Sequence, residues 1–217
     1  MISFSDIRNN EAVRAYIKAA DESLVALGYT EHSFAHVGRV AQTAADILEK
    51  LGYSEREVEL ARIAGFLHDI GNLVNREEHS QSGAVIAFRI LDKLGMPPED
   101  IATVVTAIGN HDEGNGVPVS ALAAALILAD KSDVRRTRVR NSDLSTFDIH
   151  DRVNYSVKKS ELLLEGKTIS LLLDIDTAIG SVMDYFEIFL GRMLLCRRAA
   201  ERLGLTFGLV INGQTLV

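Results

Sequence analysis

A chain of 217 residues, 47% hydrophobic and 24% charged, can bury one large domain or a domain with an appendage, and this balance excludes a disordered or low-complexity protein. The formal net charge of −7 excludes a general nucleic-acid coat protein but leaves room for a phosphate substrate held by local positive charge. A single cysteine, Cys196, excludes an intrachain disulfide framework.

In chain order, Val13, Tyr16, Ile17, Ala20, Leu24 and Leu27 recur at helical spacing and predict a helix over 10–27. A second helix is predicted over 33–51, with Val37, Val40, Ala41, Ala44, Ile47 and Leu48 on one face and a stop at Gly52. Ser54 with Glu57 reads as a capping box for a third helix, which ends near His68-Asp69. A loop over 72–77 precedes a helix over 78–94 that closes at Gly95. Pro97-Pro98 starts another helix through about 110. Gly114, Gly116 and Pro118 mark a loop before an apolar helix over 119–130. The pattern changes after about residue 141. Apolar segments over 160–164 and 168–174 flank Glu165-Gly166-Lys167 and predict a β-hairpin. A long helix over 176–203 follows, then a strand over 205–211 and a hairpin turn at Asn212-Gly213. The expected fold is mainly α: a helical bundle over 1–154 with a small α+β appendage over 155–217. The stretch 179–195 is apolar on much of its circumference and must be buried. So small a sheet would cover one face only, so the other is expected to form a homodimer interface.

The residues with metal chemistry are few and well placed. His68-Asp69 sits where an apolar helical run, Ile63-Ala64-Gly65-Phe66-Leu67, meets Ile70-Gly71-Asn72. Adjacent ligand-type residues at a helix end converge on one ion only if other segments supply more ligands. His36, His79, His111 and Asp130 are available for that, and a helical bundle can bring such inward faces together. Imidazole nitrogen and carboxylate oxygen together suit divalent transition metals. Asp69, with two oxygens to share, is the natural bridge if two ions bind.

Three ordered words resemble the HD superfamily of metal-dependent phosphohydrolases: His32-Ser-Phe-Ala-His36-Val-Gly-Arg39-Val40, Ala64-Gly-Phe-Leu-His68-Asp69-Ile-Gly71 and Leu126-Ile-Leu-Ala-Asp130-Lys131. The resemblance runs from about residue 30 to 133. It implies an HD-type helical bundle with His36, His68, Asp69 and Asp130 at a metal site. His79 and His111 resemble the extra histidines of two-metal branches, which include dinucleoside-polyphosphate hydrolases and cyclic-dinucleotide phosphodiesterases. Asn72 stands where the cyclic-dinucleotide branches usually carry lysine. The chain also reads Asn110-His111-Asp112-Glu113 and Gly116-Val117-Pro118 in place of a second histidine and a Gly-Tyr-Pro word.

The implied reaction is hydrolysis of a phosphoester or phosphoanhydride by metal-activated water. Two ions among Mn, Fe, Co, Ni or Zn are expected, with Mg also compatible. Asp69, Lys131 and Asp112 are the candidate catalytic residues, Lys131 pairing with a phosphate or orienting Asp69. Lys131, Arg135 and Arg138, in a basic run directly after Asp130, are candidates to clamp phosphate oxygens. His32 reads as a helix residue without a metal role, and His150 as structural or as an outer partner. The expected partner is a small phosphorylated substrate, most simply a nucleotide, with no extended nucleic acid and no membrane. No run reaches the roughly 20 apolar residues needed to span a bilayer. The N-terminus shows no signal peptide, so a cytoplasmic location is expected. Alternatives are a phosphodiesterase acting on cyclic nucleotides or RNA ends, and a non-catalytic nucleotide sensor.

Overall fold

The computed structural model describes residues 2–217, which form nine α-helices and four β-strands. Helix α1 (Phe4–Asn9) opens with a capping box between Ser3 and Asp6, and Asn10 then caps α2 (Glu11–Ala26) by accepting from the amides of Ala12 and Val13. Helices α3 (Phe34–Lys50), α4 (Glu55–Leu67), α5 (His79–Lys93), α6 (Pro98–Gly109) and α7 (Ala121–Ser132) follow the predicted order. The Ser54–Glu57 capping box is formed. Gly52 and Gly95 close α3 and α5 with φ of +79° and +77°, a conformation that costs glycine nothing.

Among these helices α7 is the central one. Every residue from Leu122 to Ala129 is buried, which explains its apolar sequence on all sides. Helix α4 crosses α3 so closely that a Cβ at Gly65 would lie 2.6 Å from the Cα of Ala41. This explains why a glycine precedes the His68-Asp69 dyad. After the dyad, a 3-10 turn over Ile70–Leu73 brings Gly71 against α5, where a Cβ would stand 1.9 Å from the His79 carbonyl oxygen.

Two helices were not expected from the sequence: α1, and α8 (Ile149–Ser156), which Asp148 caps. Strand β1 (Val157–Glu165) starts directly after α8, earlier than the apolar pattern suggests, and pairs with β2 (Thr168–Ile175) as the predicted antiparallel hairpin. The long helix α9 (Val182–Arg202) starts later than predicted, because Ser181 and Asp184 form its capping box. It crosses over to β3 (Thr206–Ile211), which pairs parallel to β2 with Leu171 beside Leu209. Asn212 and Gly213, both at positive φ, turn the chain into β4 (Gln214–Thr215). The sheet order is β1-β2-β3-β4.

The sheet is not the only cover for α9. Helix α9 also packs on α7, so two of its sides are covered, while Met183, Leu190 and Leu194 remain exposed. Among the described residues no helix is long and apolar enough to cross a membrane.

Candidate metal centre

Four imidazoles meet where α3, α4, α5 and the end of α6 converge. His36 lies in the first turn of α3, His68 caps the end of α4, His79 opens α5 and His111 follows α6. Their rings form an edge-to-face chain, His36–His68–His111–His79, with centroids 5.0 to 5.2 Å apart. Each Nδ1 faces an acceptor. His68 reaches the carbonyl of Gly65 at 2.8 Å, His79 that of Arg76 at 3.0 Å, and His111 that of Ile108 at 2.6 Å. His36 reaches Asp133 Oδ2 at 2.8 Å. These acceptors place a ring proton on Nδ1 and turn Nε2 inward.

The Nε2 atoms of His36, His68 and His111 are buried without a hydrogen-bond partner. Orphaned polar atoms of this kind are costly in a folded interior unless a ligand satisfies them. Two carboxylates face them. His36 Nε2 lies 3.4 Å from both Asp69 Oδ2 and Asp130 Oδ1, and His68 Nε2 lies 3.2 Å and 3.6 Å from the same two atoms. The other Asp69 oxygen, Oδ1, faces His79 Nε2 at 3.4 Å and accepts from Asn72 Nδ2 at 3.2 Å. His36, His68 and Asp130 offer one ligand atom each within 4.8 Å of one another, as do His68, Asp69 and His111. This donor set fits divalent metal ions, and the two-sided placement of Asp69 fits a bridge.

Burial and neighbouring charge act in opposition on these groups. Burial disfavours charge on His68, but Asp69 and Asp130 outweigh it and raise its pKa to about 10. His111 moves the opposite way, to about 3, through burial and the nearby positive charges of His68 and Lys131. Burial also opposes charge on Asp69 and Asp130. Positive neighbours nevertheless keep both carboxyls well below their usual range: His68 and His36 at Asp69, Lys131 and the same two histidines at Asp130. Metal binding at such a site releases protons.

A cavity of about 460 Å³ opens from Asp69, His79 and Asp130. Four cationic side chains line it: Arg76, Lys131, Arg138 and Arg192. More of its lining comes from Asp148, which caps α8, from His150, Asp151 and Asn154 of α8, and from Ile188 and Phe189 of α9.

The sequence-derived candidates fall into place unevenly. Lys131 sets its ammonium 2.8 Å from Asp130 Oδ2, with Glu113 at 3.6 Å, so it steadies Asp130 and not Asp69. Asp112 lies 4.0 Å from both Lys131 Nζ and His79 Nε2. Arg138 lines the cavity, donating from Nε to the Glu31 carbonyl at 2.9 Å and from Nη1 to the Asp133 carbonyl at 2.7 Å. Arg135 does not line it, because its guanidinium is engaged by Asp133 at 2.9 Å and Glu31 at 3.0 Å.

His32 sits before α3 begins and lines the cavity, where burial holds its pKa well below the usual value. His150 is on the cavity wall too. Sequence reading missed Arg76, whose Nη1 is 3.3 Å from His79 Nε2 and 3.9 Å from Asp69 Oδ1. Its position three residues before His79 was the available signal. Arg192, bonded to Glu113 at 2.8 Å, gave none.

The family model for the HD domain matches residues 33–152. An uncharacterized protein of Methanocaldococcus jannaschii is 25% identical over 183 residues, covering 73% of this chain and 70% of that protein. Ribonuclease Y of Lawsonia intracellularis is 28% identical over 182 residues, covering 81% of this chain. The chain spans only 32% of that Ribonuclease Y. A solved structure, a predicted HD superfamily hydrolase from an uncultured Thermotogales bacterium, matches with a TM-score of 0.44 and 24% identity over 59% of this chain and 72% of that one.

Proposed function

The chain belongs to the HD domain family, and from that premise we propose that it is a metal-dependent phosphohydrolase cleaving a phosphoester or phosphoanhydride of a nucleotide or related small phosphate. One observation supports this above all. Three buried imidazole nitrogens without partners cluster with Asp69 and Asp130, and these two carboxylates line a cavity that also carries four cationic side chains.

In this reading His36, His68, Asp69 and Asp130 hold one divalent ion, and Asp69, His79 and His111 hold a second. Mn, Fe, Co, Ni and Zn suit the imidazole-carboxylate set, and Mg is compatible with its oxygens. Such ions lower the pKa of bound water and neutralise charge on phosphoryl oxygens. The chain supplies the rest. Arg76 binds phosphate oxygens, since guanidinium meets them in a fork of paired donors, and Arg138, its Nε and Nη1 already engaged by backbone carbonyls, adds positive charge to the lining. Lys131 holds Asp130 in place and adds positive charge beside the phosphate. Asp112, between Lys131 and His79, orients the attacking water or the departing oxygen.

The lining favours a small substrate. Asp148 and Asp151 add negative charge to it. They would repel a continuing phosphate backbone but can accept hydrogen bonds from sugar hydroxyls. The second reading, a phosphodiesterase acting on RNA ends, draws on the similarity to Ribonuclease Y. Pairing with a second copy through Met183, Leu190 and Leu194 of α9 belongs to the same proposal.

Metal analysis followed by a substrate panel tests this. Bound transition metal, and release of phosphate or a nucleotide product from mononucleotides or dinucleoside polyphosphates, is the expected result. A protein that holds no Mn, Fe, Co, Ni or Zn, and stays inactive after these ions or Mg are added, overturns it. Hydrolysis confined to RNA ends selects the second reading.

A further inference from the structure

One of the four imidazoles is held differently from the others. His68, His79 and His111 each direct Nδ1–H to a neutral backbone carbonyl three residues earlier in the chain. His36 directs its own to a carboxylate, Asp133 Oδ2, at 2.8 Å and from 97 residues away. Asp133 is only 3% exposed. Its other oxygen accepts from Arg135 Nε at 2.9 Å and faces Arg39 Nε at 3.4 Å. Arg138 donates to its backbone carbonyl at 2.7 Å, with Nη1 4.0 Å from Oδ2. Three guanidiniums thus fix a buried anion behind a single ring.

The opposite end of the cluster has the reverse arrangement. His79 Nε2 already accepts from Arg76 Nη1 at 3.3 Å. An ion arriving there must displace a cationic side chain, whereas the Nε2 atoms of His36 and His68 face the carboxylates of Asp69 and Asp130 with no cationic side chain between them. A carboxylate behind a metal-binding imidazole orients the ring and strengthens it as a donor more than a carbonyl does.

We propose that Asp133, held by Arg39, Arg135 and Arg138, is a positioning residue that makes the His36 position the tight metal site, filled first, and leaves the His79–His111 position exchangeable. The inference rests on the two-metal reading above. It also gives the arginines after Asp130 a role: Arg135 and Arg138 support the metal floor through Asp133.

The test is titration of the metal-free protein with Co(II), read by its visible spectrum and by competition with a chelator. The wild type should bind in a tight and a weak phase, and His36→Ala should remove the tight one. Asp133→Asn keeps the size and the acceptor but removes the charge. It should weaken the tight phase about 10- to 100-fold and leave the weak phase in place. Arg39→Ala, at a half-exposed side chain, should shift the same phase by less.

Melting of the metal-free variants separates this from a general loss of stability. A lower melting temperature with an unchanged tight phase makes Asp133 merely structural and overturns the proposal. So does a single phase in the wild type, or a shift confined to the weak phase. If Asp133→Asn does not fold, Arg39→Ala decides: a weakened tight phase supports the inference and an unchanged one overturns it. A wild type that binds no Co(II) at all removes the metal reading itself. Wild-type binding with an indifferent Asp133→Asn removes only this inference.

Discussion

The two walls of the cavity are built in opposite ways. In one, Asp69 and Asp130 line the cavity with His36 and His68 buried beside them, all on the helices α3, α4 and α7 or at their ends and each held by hydrogen bonds or charge. In the other, α8 is eight residues long, and Asp148 and His150 remain exposed. The first wall is fixed before any ligand arrives. The second can adjust its side chains at little cost, because few neighbours constrain them. On the proposed function, the contrast means that the reaction type and the choice of substrate are carried by separate parts of the chain, so that one can change without the other.

Substitutions on each wall should therefore fail in different ways. Asp69→Ala strikes the fixed wall at the residue facing both histidine pairs. We expect metal content and activity to fall by more than about 100-fold, since losing even an outer partner of a metal ligand costs about 10- to 100-fold. The helical circular dichroism should persist. Retained metal with full activity would break the contrast outright.

Arg76→Ala acts at the boundary between the walls. Loss of one charged hydrogen bond to phosphate, about 1.5–3 kcal/mol, should lower kcat/KM roughly 10- to 100-fold. Bound metal should stay the same or rise, because His79 Nε2 is freed. A loss of metal instead would move Arg76 into the fixed wall. His150→Ala touches only the adjustable wall. It should raise KM about 2- to 10-fold, the size of one ordinary hydrogen bond, and alter preference among nucleotides. The kcat and metal content should not move. A large drop in kcat would show that α8 takes part in the chemistry.

The clustering of the candidate ligands was largely legible in the sequence because its constraints are local. Gly65 and Gly71 bracket the dyad for steric reasons, and three histidines take their acceptor from a residue three positions earlier. Short words preserve relations of that kind. Helix α1 escaped because it is six residues long, although Ser3 and Asp6 carry its cap. Helix α8 lies in a polar stretch where apolar periodicity is faint. The direction of an arginine escaped for a different reason. A basic run beside a ligand reads the same whether its guanidiniums face a substrate or turn inward. Only the packed structure shows Arg135 on Asp133 and Glu31. Arg192 reaches Glu113 across 79 residues, a relation no local pattern encodes.

The parallel pairing of β2 with β3 has a mechanical consequence for the cavity. The link between those strands is α9, whose Ile188, Phe189 and Arg192 face the ligand space. Helix and sheet are thus one connected frame, clamped at both ends of the crossover. Fraying the last strands would release the end of α9, and that slack would pass along the helix to the cavity. The C-terminal strands thereby brace the helix that lines part of the cavity.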